Sequence, residues 1–252
     1  MASLNKIVQV LDRELDIASF EDSSNNGLQV ANSGRIRKVC CGVDASMEFF
    51  EEAKRRGADL LICHHGLSWG DSLKRIVDLN YRRVGFLIRN DIALYACHLP
   101  LDAHPRLGNN ALLFKALGLR NRRPFGLYAG RKIGFRGELP KAMKWADFKR
   151  FAHKAIGGEF RTMEYGRKTV GSVAIVSGGA ADELAQAAQE GVDVYVSGEA
   201  NLHAYNLARE YGIHAIFAGH YATEVFGVRA LGEFMHRRFK IEAEFVDLKV
   251  TF

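Results

Sequence analysis

With 252 residues, 48% of them hydrophobic and 25% charged, the chain has enough apolar mass for a sizeable core, which excludes wholesale disorder and fits one large domain or two modest ones. Its formal charge of +6 is dispersed apart from Arg120–Arg123 and Arg237–Lys240, which suits a small anionic ligand and gives nucleic-acid binding only weak support. No apolar run approaches the roughly 18 residues of a membrane helix, Met1–Asp12 does not read as a signal peptide, and Cys40, Cys41, Cys63 and Cys97 lie in apolar surroundings without CxxC spacing, so a soluble protein of the reducing cytoplasm is expected.

In chain order, Leu4, Ile7, Val8, Leu11 and Leu15 have helical spacing, with Ser3 placed to cap the helix. Asn25–Val30 reads as a polar turn running into a strand, and Val39–Val43 as a short buried strand. Ser46–Arg56 reads as a helix stopped by Gly57. Leu60–Cys63 is a buried strand that ends abruptly in His64-His65-Gly66. A helix with a break near Asn80 is expected over Asp71–Asn90. Ile92–Cys97 is the next buried strand, and it too ends in histidine, in the run His98-Leu99-Pro100-Leu101-Asp102-Ala103-His104. Asn109–Leu117 reads as a helix ended by Gly118. Arg120–Gly137 is basic, dotted with glycine and irregular, as a junction between two lobes would be. Beyond it come Ile133–Glu138 as strand, Lys144–Ile156 as helix, Val170–Val176 as strand, Asp182–Gln189 as helix and Val192–Val196 as strand. Asn201–Tyr211 reads as a helix carrying His203, and His214–Ala218 as a strand closing in Gly219-His220-Tyr221-Ala222-Thr223-Glu224. This alternation predicts an α/β fold with mainly parallel strands and covering helices.

Three of these strands finish in histidine. In open α/β sheets, ligands bind beyond the carboxyl ends of the strands. Imidazole is the commonest protein metal ligand. The clusters supply His64, His65, His98, Asp102, His220 and Glu224, the last two one turn apart if a helix starts near His220. Each cluster alone has a plainer reading: a surface histidine pair, an Asp102 helix cap, a surface HxxxE pair. Taken together, their mixed nitrogen and oxygen chemistry suits zinc, manganese, iron or nickel, and their number suits two divalent ions in a hydrolase-type site. The turn Ser177–Ala181 has the form of a phosphate cradle of backbone amides at a helix N-terminus, but it matches neither the P-loop nor the dinucleotide fingerprint, and a tight strand-to-helix turn is the commoner explanation.

The blocks Asn26-Gly27-Leu28-Gln29-Val30, His64-His65-Gly66, His98–His104 with Gly108-Asn109-Asn110, and Gly219–Glu224 resemble, in order, the signature blocks of the YbgI-like, or Nif-three-like, dinuclear metal-centre proteins, often labelled GTP cyclohydrolase 1 type 2 homologues. The resemblance implies two similar α/β lobes, here 1–125 and 126–252, with the metal site in the cleft between them and the segment 219–252 returning to it. It also implies a homohexamer. The family's metal ligands fall on His64, His65, Asp102, His220 and Glu224, with His98 close by as the one candidate for a catalytic group. Glu199 and His203 are cleft candidates only, and 120–168 carries no recognised pattern. The function expected is a metal-dependent hydrolase acting on a nucleotide or related phosphate compound. The alternatives are a metal-storing, metal-delivering or regulatory protein without turnover, and a nucleic-acid-binding ring.

Overall fold

The computed structural model describes residues 1–251. The chain divides into two compact units, Met1–Leu101 with Gly227–Lys249, and Asp102–Phe226 with 250–251. The boundary read from the sequence, at 125/126, lies inside the strand Arg120–Tyr128 of the second unit.

The first unit is built on a five-stranded sheet ordered Glu242–Phe245, Lys38–Asp44, Leu60–His65, Ala93–Ala96, Gly27–Val30. The first four strands run parallel, and Gly27–Val30 closes the edge antiparallel. Consecutive residues Cys40, Cys41, Leu61, Ile62 and Cys63 are all fully buried, so the central strands are covered on both faces. That is why they read as unbroken apolar runs rather than alternating ones. The helix Leu4–Leu15 buries Leu4, Ile7, Leu11 and Leu15, one stripe at helical period. Each such side chain contributes roughly 1.5–3 kcal/mol by leaving water. Ser3 precedes this helix in extended conformation but makes no side-chain cap bond, being paired instead with Arg35 in a two-stranded ribbon. In the next helix, Met47–Arg55, the Ser46 hydroxyl does accept the Phe49 N–H at 3.2 Å. The helix expected over 71–90 is confined to Asp78–Arg89. Ahead of it the chain turns locally, with Ser72 Oγ accepting the Trp69 N–H at 2.9 Å and Lys74 N–H bonded to the Asp71 carbonyl. Short polar side chains that bond nearby backbone compete with the helix in this way.

The second unit carries a six-stranded sheet ordered Arg120–Tyr128, Arg131–Lys144, Thr169–Ile175, Val194–Ser197, His214–Phe217, Arg161–Glu164. The middle three, Thr169–Ile175, Val194–Ser197 and His214–Phe217, are mutually parallel; Arg131–Lys144 and Arg161–Glu164 flank them antiparallel, and Arg120–Tyr128 pairs antiparallel with Arg131–Lys144 at the outer edge. Parallel pairing thus forms the centre of each sheet; antiparallel pairing closes both edges of the second sheet but only the Gly27–Val30 edge of the first. The region expected to be an irregular junction is a long hairpin. Tyr128 pairs with Arg131 across a two-residue turn in which Ala129 and Gly130 have φ of 45° and 77°. Two consecutive positive φ values match the twist of hairpin strands. The cations hid the strand because arginine stems cover apolar surface: the Arg122 guanidinium lies 4.6 Å from the centre of the Phe135 ring. The helix Trp145–Ile156 packs Trp145, Phe148, Ala152 and Ile156 into this unit's core. The long helix His220–Phe239 begins after the strand His214–Phe217; its residues through Phe226 belong to the second unit and the remainder to the first.

Candidate metal centre

In the first unit, the strand Leu60–His65 continues through both histidines before Gly66 ends it. His64 is fully buried and His65 half-buried, so a regular strand places the two rings in different surroundings while their centres stay 4.7 Å apart. His98, just past the strand Ala93–Ala96, brings its ring centre to 5.2 Å from His64 and 5.6 Å from His65. These three imidazoles form a group whose ligand atoms all lie within 4.8 Å of one another, which could hold a metal ion.

The Nδ1 atoms of these rings are already engaged. His64 Nδ1 lies 2.9 Å from the Cys97 carbonyl, His65 Nδ1 2.8 Å from Asp44 Oδ1, and His98 Nδ1 2.8 Å from Asp22 Oδ1. Carbonyl and carboxylate oxygens only accept, so each Nδ1 carries a proton, and Nε2 is the ring nitrogen with the chemistry to ligate a metal. Such partners orient metal-binding histidines and raise their basicity. Asp22 is the most constrained of the three acceptors. Its carboxylate also accepts N–H bonds from Ser24, Asn26 and Leu99. Burial alone would raise its pKa, but the His98 contact and these donors outweigh that and hold it down at about 2.

In the second unit, Asp102 lies on the short helix Leu99–Ala103 and is buried. Its Oδ1 accepts from Asn109 Nδ2 and from Ser177 Oγ, each at 2.9 Å. Asn110 completes the brace: its Nδ2 donates to the Ile133 carbonyl at 2.9 Å and its Oδ1 accepts the Ser177 N–H at 2.7 Å. His220 and Glu224 stand one helical turn apart with Nε2 and Oε1 separated by 3.1 Å. The carboxylates of Asp102 and Glu224 offer oxygens within 4.8 Å of each other. His220 Nδ1 bonds Glu199 Oε1, repeating the carboxylate–imidazole pairing of the first unit. Burial would lower the His220 pKa, but Glu224 and Glu199 on either side raise it from 6.5 to about 9.

Gly178 shows how closely this cluster is packed. At φ +70° a Cβ there would collide with Glu224 Oε1 and lie 3.1 Å from His220 Nε2, so only glycine leaves room beside the donor atoms. Imidazole nitrogens and carboxylate oxygens suit a borderline divalent ion such as zinc, manganese, iron or nickel. The residues fit a metal.

The pattern described as Duf34/NIF3 (NGG1p interacting factor 3) matches residues 2–251. The chain belongs to the Duf34/NIF3 family. A relative from Archaeoglobus fulgidus, named GTP cyclohydrolase 1 type 2 homolog, is 43% identical over 246 residues covering 98% of each chain. One of the same name from Deinococcus radiodurans is 40% identical over 96% of this chain and 92% of its own. Among solved structures, a protein ybgI of unknown function superposes with a TM-score of 0.93 at 34% identity over the whole of both chains. TTHA1606 from Thermus thermophilus does so with 0.90 at 35% identity, over 99% of this chain and 100% of its own. The Duf34/NIF3 fold, a mixed α/β arrangement, is therefore shared across these proteins.

The six residues singled out in the sequence are placed as two groups. His64, His65 and His98 converge in the first unit, and Asp102, His220 and Glu224 lie together in the second. Glu199, carried only as a cleft candidate, holds His220. His203 is exposed on the helix Leu202–Tyr211 and joins no such group among the described residues. His104 is buried and structural, its Nδ1 accepting the backbone N–H groups of Arg106 and Leu107. Sequence reasoning missed Asp22, Asp44 and Ser177, and gave the Asn109-Asn110 pair no role.

Proposed function

We propose that this Duf34/NIF3 chain is a dinuclear metal protein in which His64, His65, Asp102, His220 and Glu224 hold a pair of divalent ions, and that it hydrolyses a nucleotide or related phosphate compound. The observation carrying this reading is the common setting of four histidines, each with Nδ1 engaged by an oxygen acceptor, a backbone carbonyl for His64 and a carboxylate for His65, His98 and His220. A surface histidine pair has no need of such partners. Support also comes from the name shared by the relatives, GTP cyclohydrolase 1 type 2 homolog, and from the chain's basic charge of +6. A bound divalent ion would supply Lewis acidity and lower the pKa of a coordinated water.

The chain's own groups would do the remaining work. His98, held by the buried Asp22, presents Nε2 as a base able to take a proton from attacking water, and the Asp22 carboxylate steadies the imidazolium that results. Asp102 is held by Asn109 and Ser177, so its orientation does not have to be found anew when substrate arrives. Four buried cysteines suit a reducing cytoplasm, and no described helix is long and apolar enough to cross a membrane. A homohexamer is part of the same proposal, to be tested by light scattering on the purified chain.

The functional test is a screen of nucleotides and phosphoesters on protein purified without added metal, run beside Asp102→Ala and Glu224→Ala. Turnover by the parent chain that falls at least a hundredfold in both variants, with loss of metal, is the expected result. Metal retained by the parent with no turnover on any compound would shift the reading to storage, delivery or regulation. Turnover unchanged in both variants would overturn the mechanism.

A further inference from the structure

The segment after the paired histidines is braced far more heavily than a surface loop requires. Gln29 Oε1 accepts the N–H groups of Leu67 and Ser68 at 2.7 and 3.1 Å. Asn25 Nδ2 donates to Ser68 Oγ at 2.6 Å and to the Gly70 carbonyl at 2.9 Å, and the Gly70 N–H bonds the Ser23 carbonyl at 2.7 Å. Gly66 permits the approach: a Cβ there would collide with both Gln29 and Ala96. These bonds hold one large side chain in place. Trp69 is half-buried, with its ring centre 5.0 Å from that of His98 and 5.9 Å from that of His65. Its Nε1–H already donates to the Gly66 carbonyl at 2.9 Å. What the indole still offers is therefore its flat apolar surface, not its donor.

An aromatic ring that is fixed, partly open to solvent and adjacent to candidate metal-binding imidazoles is suited to stacking. We infer that Trp69 is a specificity-determining platform on which the ligand lays a planar heteroaromatic ring, such as a nucleobase, beside His65 and His98. The inference deepens the proposed function and rests on it: it narrows the substrate from phosphate compounds at large to those carrying a flat ring close to the group that reacts. Simple sugar and alkyl phosphates are then poor ligands. Base stacking on an aromatic side chain is worth roughly a 5- to 150-fold change in affinity.

The chain has two tryptophans, and Trp145 is buried, stacked on His214 with ring centres 4.0 Å apart. In zinc-loaded Trp145→Phe protein, Trp69 is the sole indole reporter. Titration with guanosine monophosphate should quench its emission, while ribose 5-phosphate should bind at least about tenfold more weakly. Calorimetry on Trp69→Leu should show guanosine monophosphate falling to the ribose 5-phosphate level, and Trp69→Phe should keep most of the discrimination. Zinc content is measured on every sample. Zinc retained with equal affinity for the two compounds, or with neither bound, overturns the stacking role and leaves the metal reading standing. Full discrimination in Trp69→Leu overturns it equally. Failure to take up zinc strikes the metal reading instead, and the guanosine monophosphate titration of that same sample still decides whether Trp69 stacks a ring.

Discussion

Asp44 offers the clearest separation of metal affinity from folding. Its side chain retains 47% of its exposure, yet its Oδ1 lies 2.8 Å from His65 Nδ1. Replacing Asp44 with alanine removes that acceptor without opening a cavity in the core. His65 can then adopt the tautomer with the proton on Nε2, and the ring is free to turn. Loss of such an outer partner costs about 10- to 100-fold in metal affinity. Because water can reach the site and replace part of the bond, the lower end applies, about tenfold or ~1.4 kcal/mol. Asp44→Asn keeps a neutral oxygen acceptor for Nδ1–H and should lose less. The assay is competition for zinc against a chromophoric chelator at fixed pH, with thermal melts of the metal-free proteins as the control. Unchanged zinc affinity in Asp44→Ala, with an unchanged melting temperature, would refute the idea that the Nδ1 acceptors prepare the imidazoles for metal.

Asn110→Ala would strip the buried Ser177 N–H and Ile133 carbonyl of a side-chain partner, and thermal or urea unfolding should show a loss of about 2–4 kcal/mol. Gly178→Ala forces an alanine into a left-handed backbone and against Glu224, so about 1–2 kcal/mol of stability and part of the bound metal should be lost, read by melting temperature and elemental analysis. Glu164, bonded to Lys149 at 2.6 Å, has its pKa lowered from 4.5 to about 2 by that lysine first and by further hydrogen bonds that outweigh its slight burial. Its stabilisation is complete above pH 4.5 and disappears as pH falls from there toward 2. Both side chains are more than a third exposed, so the effect is under about 1 kcal/mol, and Glu164→Gln should flatten the acid limb of the stability profile in that window only.

The donor residues were legible because they break a rule. Polar, titratable His64, His65, His98 and His220 end runs of buried strand residues where the strands themselves need no such group. The groups that hold them were not legible, because nothing local marks them. Asp44 lies 21 positions from His65, Asp22 lies 76 from His98, and Glu199 lies 21 from His220, so only the folded sheet brings each pair together. An Asp at the end of a short strand, as Asp44 is, reads equally well as a turn residue. Of the hairpin Arg120–Lys144, the stretch Ile133–Glu138 was legible as strand, but the partner Arg120–Tyr128 was lost for a different reason: four of its first five residues are exposed and polar, three of them arginine, and only pairing with Arg131–Lys144 shows it as a strand. The strand Glu242–Phe245 also escaped notice. It is short, with two glutamates in four residues, and takes its place only because Lys38–Asp44 has an open edge for it. Core strands and helices announce themselves through periodicity. Edges, caps and second partners are decided by tertiary contact.

The central proposal is that His64, His65, Asp102, His220 and Glu224 hold a pair of divalent ions. Elemental analysis of chain purified without chelator, then stripped and reloaded with zinc or manganese and freed of excess by gel filtration, tests it most directly. A pair of ions per chain in the parent, falling by at least one in each of His64→Ala, Asp102→Ala and Glu224→Ala, is the predicted result. A parent chain that leaves the column without metal after saturation, or the same metal content in all four proteins, would contradict it.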